Sequence, residues 1–457
     1  KLILLNRDIK TLLGEEKLSK FKIKIINNGV INTKKEIKNT LYVNLIYEKL
    51  LKEITPLLNS IHKERWSLRS WRAFIGPWLN RYIAIVNQRI EDIKPLLKEK
   101  NLKFIKRKNY SLVTEKIEDF NKKSMNFKYN EKLYFELYKL LKRNVNVNNS
   151  KFNNPNLLLK KKINLKDLKK QILTLIMNNI NKVVCKNNKF FFNNNYFLKK
   201  KDLFKLNLSL NNFPSKYYYT NYVIKNRFNK IFRKKFKIKI NVRDKKEKII
   251  RVLLKELMPI VYLEDFQTLK NLSKKSMLPK KKKIIFTSQC IDDDIFKFWV
   301  ADQLSNGSKL IFAQHGANYG THISCHGEDH EIKISDKFLT WGWSKKNNKV
   351  IPCSFFSKKN TKKIKNIDKK ILIIGNATYF YKYYNEVYFQ SPYTFHKNRY
   401  FNFLENLDDK LKKNIYFKPH PKEKIIDYGM TELIKKEFPN IKILNRSSKI
   451  ENIMEEY

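Results

Sequence analysis

The segments KIIFTS (Lys283–Ser288) and KLIFA (Lys309–Ala313) decide the fold class of this chain. Each is a short apolar run of the kind that forms a buried strand. Between them, the acidic run Asp292–Asp294 suits the start of a helix, because the helix macrodipole favours negative charge there, and Gly307 suits its end. A strand, a helix and a second strand within about 30 residues are typical of a parallel sheet. We therefore predict an α/β protein.

Later segments predict a second parallel sheet. The later predicted elements are strands at Lys337–Trp341, Lys370–Gly375, Asn414–Phe417 and Ile441–Leu444, and helices at about residues 401–412, at 430–438 and from Ser447 or Ser448 onward. A polar linker at about residues 344–368 separates the two sheets, so we predict two domains, residues 1–365 and 366–457. Two or three parallel strands are few for such a domain, and we expect the second domain to be truncated in this sequence.

Two helices are predicted over about residues 40–100, where apolar residues recur every three or four positions. Pro77 lies inside the second pattern, so we predict that this helix starts or kinks there. The Trp- and Arg-rich stretch that begins at Arg65 suits either a wall facing a ligand or a packed helical hairpin with arginine stems on indole rings. We favour the hairpin.

The composition is strongly basic, with a formal net charge of +55. Lysine and asparagine are abundant along the whole chain, as AT-rich codon usage would produce, whereas a nucleic-acid-binding protein concentrates its charge on one face. We therefore expect no nucleic-acid partner, and a diffuse field that suits anionic substrates or an anionic membrane surface. The Lys/Asn-rich residues 101–240 are predicted to be an insertion without chemistry, with one helix near Leu165–Ile180 capped by Asn164.

The cysteines and the hydropathy pattern favour a cytoplasmic protein. The four cysteines are widely spaced and form no CxxC pair, which is typical of reduced thiols. No apolar run approaches the roughly 18 residues that a helix needs to span a bilayer.

Two loops carry the strongest indications of chemistry. QHGANYG (Gln314–Gly320) follows the strand that ends at Ala313, and KPHP (Lys418–Pro421) follows the strand that ends at Phe417. Open α/β sheets place their ligands at the carboxyl ends of strands. His315 suits a general base, because the glycine after it lets the backbone approach a ligand closely. A buried structural histidine is the alternative.

The second loop suits phosphate binding. Prolines on both sides of His420 stiffen the loop, and Lys418 and His420 can both donate hydrogen bonds to phosphate oxygens. Facing each other, the two loops would form one cleft.

Carboxylates and further histidines lie close to the first loop in the sequence. Glu331 and Asp336 are candidates to orient His315 or to act as the base, whereas we expect Glu328 to be surface charge on a loop. A metal site is the alternative use of a set of five residues: His315, His322, Cys325, His326 and His330. Their spacing matches no established zinc pattern, so we expect no metal.

The sequence resembles a transferase family from bacterial surface-carbohydrate loci. More broadly, it is similar to GT-B glycosyltransferases, Kdo transferases and CDP-glycerol glycerophosphotransferases. The matching segments are W-R-x-x-x-G-P-W-L (Trp71–Leu79), F-T-S to D-D-I-F-K-F-W (Phe286–Trp299), Q-H-G-x-N-Y-G (Gln314–Gly320), W-G-W (Trp341–Trp343), and S-P-Y-x-F-H-K-N-R-Y-F through K-P-H-P-K-E (Ser391–Glu423). Ala317 stands where the family usually has a second glycine.

The resemblance implies a GT-B-like fold, with two Rossmann-like domains and a helical N-terminal insertion. It also implies that His315 deprotonates the acceptor hydroxyl, while Lys418 and His420 bind the donor phosphates in the place of a metal. Serine or threonine contacts to phosphate are expected at Ser447 and Ser448 or beyond Tyr457. Further donor contacts are expected from Gln314, Gly316, Asn318, His396, Lys397 and Arg399.

The predicted function is transfer of a sugar from a nucleotide-activated donor to a surface polysaccharide or lipopolysaccharide precursor. Neither a metal nor a bound cofactor is expected. The predicted partners are the nucleotide sugar and a glycan or lipid-linked acceptor, with peripheral contact at the inner membrane surface. Two alternatives stay open: a CDP-polyol glycerophosphotransferase of teichoic-acid type, and a non-catalytic polybasic protein that binds RNA or anionic lipid.

Overall fold

The structure is a computed structural model. It describes residues 2–6, 23–27, 32–98, 103–106, 111–142, 146–149, 172, 176, 189–193, 200–212, 217, 222–276, 278–280, 282–316, 318–353, 370–375, 381, 392–421, 430–448 and 450–453. The strands are β1 (Leu2–Asn6), β2 (Ile23–Asn27), β3 (Lys103–Lys106), β4 (Asn146–Asn149), β5 (Phe190–Asn193), β6 (Ile284–Thr287), β7 (Lys309–Ala313), β8 (Lys337–Thr340), β9 (Val350–Pro352), β10 (Ile371–Ile374), β11 (Ile415–Lys418) and β12 (Lys442–Ile443).

The helices are numbered in the same way. They are α1 (Thr33–His62), α2 (Leu68–Ile93), α3 (Ile117–Ser124), α4 (Phe127–Leu141), α5 (Lys200–Ser209), α6 (Lys230–Arg233), α7 (Lys245–Leu257), α8 (Phe266–Lys275), α9 (Asp294–Ser305), α10 (His326–Ile334), α11 (Pro392–Glu405), α12 (Asp409–Lys412), α13 (Met430–Glu437) and α14 (Ile450–Ile453), with 3₁₀ turns at Lys94–Lys98 and Ile260–Tyr262. Within these ranges, no helix combines the length and the apolar character that crossing a membrane requires.

Helices α1 and α2 form the predicted hairpin, and α2 is the central helix of the larger core. It packs against α1, α4, α7, α9 and α10. Trp71 and Trp78 are completely buried, so the packed-hairpin interpretation is confirmed and the ligand-facing wall is wrong. The predicted contact of an arginine stem with an indole ring is not the one seen for Arg72, whose guanidinium carbon lies 5.5 Å from the centroid of the Tyr47 ring.

The start of α2 differs from the prediction. The helix begins at Leu68, where the Ser67 side chain accepts a hydrogen bond from the Ser70 amide, and Pro77 lies in its interior. An interior proline usually breaks a helix because it removes one hydrogen bond. Here the buried tryptophans around Pro77 hold the helix together through packing, which outweighs local propensity.

Five parallel strands form the main sheet, in the order β5-β6-β7-β8-β9. The predicted α/β class with parallel sheets is confirmed, and the β6–α9–β7 unit has nearly the predicted bounds. One face of the sheet is buried, through residues such as Ile285, Leu310 and Phe338. Phe191 of β5 contacts Trp299 of α9, with 5.0 Å between ring centroids, so α9 covers this face.

The predicted linker at about residues 344–368 and the predicted insertion at residues 101–240 both contribute to the main sheet and its core. Strand β9 lies inside the predicted linker and pairs with β8. Strand β5 lies inside the Lys/Asn-rich stretch and pairs with β6, and Phe120 of α3 and Leu137 of α4 are buried in the main core. The predicted helix near Leu165–Ile180 lies outside the described residues, apart from two positions.

The second sheet is smaller. Strands β10, β11 and β12 are parallel and pair in that order. Their core is a separate cluster that includes Leu404, Phe417 and Ile434. The single helix predicted at residues 401–412 is instead two helices, since Asp408 caps a new helix that begins at Asp409. The last helix begins at Ile450, after a turn at the two serines where the sequence predicted its start.

Candidate active site

The loop after β7 is fixed by Gln314. The side-chain oxygen of Gln314 accepts hydrogen bonds from the Trp341 amide at 2.9 Å and from Trp343 Nε1 at 2.8 Å. Its amide nitrogen donates to the Gly316 carbonyl at 2.8 Å. Gln314, which was predicted to contact the donor, is 2% exposed. Its side chain instead bonds to protein groups and joins the loops that follow β7 and β8.

His315 lies beside a buried carboxyl group. Its Nδ1 is 3.7 Å from Glu331 Oε1, and the imidazole side chain is 24% exposed whereas Glu331 is fully buried. The Tyr319 hydroxyl donates to Glu331 Oε2 at 3.0 Å, and the Tyr319 ring meets the imidazole edge-on. Glu331 Oε1 makes no hydrogen bond within the described part of the chain. The structure thus brings together His315 and Glu331, and adds Tyr319.

Burial shifts both titratable groups of this pair toward their uncharged forms. It lowers the pKa of His315 below that of an ordinary histidine. It raises the pKa of Glu331 well above that of an ordinary glutamate, and the charge of nearby Glu328 adds to this rise. A neutral imidazole is the form that can accept a proton.

Glu328 is not surface charge, and it does not lie on a loop. It is 2% exposed on helix α10. It accepts a hydrogen bond from the Gly320 amide at 2.7 Å and pairs with Lys345. Gly320 has a φ of +77°, and a Cβ there would lie 2.7 Å from the Trp343 ring. Glu328 therefore fixes the end of the first loop.

Asp336 lies at the other end of the sheet. Its carboxylate accepts from the Leu310 amide at 2.8 Å and from Arg69 Nη2 at 2.6 Å. Leu310 is near the start of β7, whereas His315 follows its end. Five residues of strand span about 16 Å. The structure therefore does not bring Asp336 to His315, and the arginine holds the pKa of Asp336 below its usual value.

The remaining predicted residues of the first loop support its turn. The Asn318 carbonyl accepts from the Thr321 hydroxyl at 2.8 Å, and its side-chain amide approaches Cys325 Sγ at 3.5 Å. A Cβ on Gly316 would lie 3.0 Å from Asn318 Oδ1. Sequence reasoning assigned no role to Tyr319 or Trp343, although both lie in motifs that it had quoted.

The KPHP loop begins at the end of β11. Lys418 is 3% exposed, and its ammonium donates to the Pro419 carbonyl at 3.1 Å and the Arg446 carbonyl at 2.8 Å. No carboxylate pairs with it among the described residues. Burial, followed by the charge of Arg446, lowers the pKa of Lys418.

Strand β10 lies directly against this loop. The Gly375 amide donates to the Lys418 carbonyl at 2.8 Å, and a Cβ on Gly375 would lie 3.0 Å from that carbonyl oxygen and 3.3 Å from the His420 amide nitrogen. His420 itself is partly exposed.

The other predicted donor contacts lie on or near the second sheet. Helix α11 contains His396, Lys397 and Arg399; the side chain of His396 lies outside the described residues. Lys397 Nζ lies over the Phe401 ring at 5.4 Å, and Arg399 is exposed. The Ser447 hydroxyl donates to Asn445 Oδ1 at 2.8 Å.

Comparison with known families decides the class of this protein. The model of the LIC12162 family transferases matches residues 9–456, nearly the whole chain. The chain belongs to this family. No curated protein and no solved structure matches it. The family is described as transferases, so this chain is a transferase.

In this LIC12162 family transferase, the five residues considered for a metal site do not form a metal-binding group within the described ranges. His326 and His330 lie on α10, with 6.4 Å between ring centroids, and both are buried. Burial lowers the pKa of His326 to about 3. Within the described ranges, no three His, Cys, Asp or Glu side chains are grouped to hold a metal ion.

Proposed function

We propose that this family member transfers a sugar from a nucleotide-activated donor to a surface polysaccharide or lipopolysaccharide precursor. The observation that carries the proposal is the pair formed by His315 and Glu331 at the carboxyl end of β7. A buried carboxyl oxygen, without a hydrogen bond in the described chain, faces Nδ1 of a partly exposed imidazole at 3.7 Å. Such contacts are often long in empty active sites and shorten in the reacting complex.

His315 serves as the general base in this proposal. In this scheme Nδ1 carries the ring proton and faces Glu331 Oε1, so Nε2 is free to take the proton of the acceptor hydroxyl as its oxygen attacks the sugar's anomeric carbon. The imidazolium that forms stabilises the ionised state of Glu331, which burial otherwise disfavours. Tyr319 keeps the carboxyl group in place through its hydrogen bond to Oε2.

The KPHP loop binds the donor's phosphates in this proposal. Lys418 supports that role because its ammonium donates to carbonyl oxygens and has no carboxylate partner among the described residues. Its positive charge is therefore available to an anion. As the bond between the anomeric carbon and the phosphate oxygen breaks, that charge stabilises the leaving nucleotide. No metal or cofactor takes part in this reaction scheme.

Glycosyl transfer and glycerophosphotransfer are distinguished by the bond that breaks. In glycosyl transfer the carbon–oxygen bond breaks and all donor phosphate leaves on the nucleotide. In the alternative, transfer from a CDP-polyol, the phosphorus–oxygen bond between the phosphates breaks and one phosphate enters the product.

The test is an assay of the full chain against nucleotide sugars and CDP-polyols, with nucleotide release and ³¹P NMR of the product as readouts. A glycosylated product without donor phosphorus is the expected result. Phosphorus in the product would replace this proposal with glycerophosphotransfer. Turnover that survives unchanged in His315→Ala would refute the role of the base in either reaction.

A further inference from the structure

A basic segment precedes helix α7 of the larger core. We call residues 222–243 the basic loop; it contains α6 and has no acidic residue. Its exposed cations are Lys225, Arg227, Lys230, Lys234, Lys235, Lys237, Lys239 and Arg243. Lysines are common throughout this chain, so charge alone does not distinguish the loop.

Exposed aliphatic side chains do distinguish it. Val223 is 85% exposed and Ile231 is 76% exposed, more than any other large hydrophobic residue of the described chain. Phe228 and Ile240, in the same loop, are also exposed. Single exposed apolar residues are ordinary, but several of them among cations indicate an interaction surface.

Buried contacts hold the basic loop in this conformation. Asp265 accepts from the amides of Lys225 at 2.8 Å and Asn226 at 3.2 Å. The neighbouring Glu264 pairs with Arg233 at 2.6 Å, and both of these side chains are 3% exposed. The two adjacent acidic residues thus hold the stretch from Lys225 to Arg233, which includes Ile231 and directly follows Val223 and Ile224.

Further along, the loop is anchored by its own apolar residues. Phe236 and Ile238 are buried in the main core. The Lys239 carbonyl accepts from Arg251 at 2.8 Å. The exposure of Val223 and Ile231 is therefore a property of a fixed loop. Taking the Arg233–Glu264 pair out of water costs free energy, which the protein spends to hold a conformation that presents apolar groups to solvent.

We propose that the basic loop binds the surface of an anionic phospholipid bilayer. Val223 and Ile231 enter the interface, and the lysines around them lie near lipid phosphates. RNA is the less suitable partner, because proteins bind single-stranded RNA by stacking bases on aromatic or arginine side chains, and the most exposed residues here are aliphatic. The proposal does not depend on the transfer reaction, and its test measures binding alone.

The first arm of the test separates insertion from general attraction. The full chain is sedimented with vesicles of phosphatidylcholine and phosphatidylglycerol in equal parts, and with vesicles of phosphatidylcholine alone. We expect binding to the anionic vesicles and a loss of roughly tenfold in affinity in Val223→Ser/Ile231→Ser. The matched control, Leu41→Ser/Leu45→Ser, removes two exposed leucines of α1 and should bind as the wild type does.

The second arm tests the placement of charge. A lysine at an anionic surface strengthens binding roughly fivefold, so Lys234→Gln/Lys235→Gln should weaken it on the order of 20-fold. The control Lys435→Gln/Lys436→Gln removes two exposed lysines of α13 and should change affinity much less. All these positions are on the surface, and thermal unfolding confirms that each variant is folded.

Three results would overturn the proposal. The first is equal weakening by the loop variants and their controls, which would indicate nonspecific attraction to a chain of high charge. The second is the absence of binding to anionic vesicles. The third is binding to a single-stranded RNA such as poly(U) that exceeds vesicle binding and is unaffected by Val223→Ser/Ile231→Ser.

Discussion

The loops after β7 and β11 both place a histidine just beyond a strand end, yet their surroundings differ. In the first loop, Gln314 and Glu328 use side-chain hydrogen bonds to fix the backbone on both sides of His315. In the second, Lys418 is held by backbone carbonyls alone among its described contacts. The first loop belongs to the large core, and the second to a core of few buried residues.

This difference matches two chemical tasks. A general base must keep a fixed position relative to the proton that it removes, because small displacements cost large factors in rate. An ammonium that binds a phosphate acts as a point charge and tolerates more variation in geometry. This contrast supports the proposed roles, which are catalysis by the first loop and donor binding by the second.

The largest expected effect is that of His315→Ala. Loss of a general base lowers kcat by about 10²- to 10⁴-fold, while donor affinity stays within about twofold because the second loop is unchanged. Single-turnover kinetics and donor titration measure the two quantities separately. His322→Ala, which removes an exposed histidine from the same region, is the control. A weakened donor Kd with unchanged kcat would reverse the assignment of the two loops.

The reverse pattern is expected for Lys418→Gln. Removing a charged hydrogen-bond donor costs roughly 1.5–3 kcal/mol, which weakens donor binding by about 10- to 150-fold. Saturating donor should recover most of the turnover. Lys442→Gln, on the next strand and exposed, should leave donor binding intact. If Lys418→Gln lowers kcat at saturation as strongly as His315→Ala does, the division of tasks is wrong.

Acid should destabilise the larger core. Burial lowers the pKa of His62 to about 4, below the value of about 6.5 that it has in the unfolded chain. Between these two pKa values the unfolded state binds the extra proton. The contribution of His62 to stability is therefore fully present above pH 6.5 and is lost as the pH falls below that value. At pH 5 the loss from His62 is about 2 kcal/mol.

Urea unfolding at pH 7 and pH 5 measures this loss. In His62→Gln the difference in unfolding free energy between the two pH values should be smaller by about 2 kcal/mol. In His322→Gln, where the replaced ring is exposed, it should equal that of the wild type. Equal differences in all three proteins would mean that His62 does not titrate in this range.

The smallest expected effect on donor binding is that of a glycine, Gly375, and a second glycine, Gly320, should change stability without changing binding. Gly320→Ala forces alanine to a φ of +77° and against the Trp343 ring, so it should lower stability by about 1–3 kcal/mol. Gly375→Ala brings a Cβ to within 3.0 Å of the Lys418 carbonyl. It should shift the KPHP loop and weaken donor binding a few fold, with less change in Tm.

Gly307→Ala is the control for this pair, because it has a φ of +85° and an open surrounding. Gly307→Ala should lower the free energy of unfolding by about 1 kcal/mol, the cost of placing alanine at a positive φ without a steric contact. Donor binding that falls in Gly320→Ala and not in Gly375→Ala would contradict the comparison.

The parts of the fold that the sequence predicted well are those with a continuous apolar pattern. Strand β7 has the predicted bounds because its apolar run is flanked by polar residues on one side and by a glycine-containing loop on the other. Strand β9 was missed because three residues ending in proline carry no periodicity. Helix α10 was described as a loop, since buried polar residues such as Glu328 and Glu331 hide its apolar face.

The candidate site was predictable only in part, for a geometric reason. His315 and Glu331 meet because α10 returns along the sheet, so that a residue 16 positions later lies beside the first loop. Asp336 is only five residues further on, but by then the chain has reached the opposite end of the strands, where Asp336 pairs with Arg69. Proximity in sequence gave no way to separate these two carboxylates.

The strand order β5-β6-β7-β8-β9 has a consequence for ligand affinity. Ligands of open parallel sheets usually settle where the order of strands reverses, because the adjacent loops diverge there and leave a crevice. Along these five described strands the order does not reverse, so their carboxyl ends include no such point. A substrate resting at His315 would need a second surface to enclose it, and its measured affinity would include the free energy of bringing that surface into place.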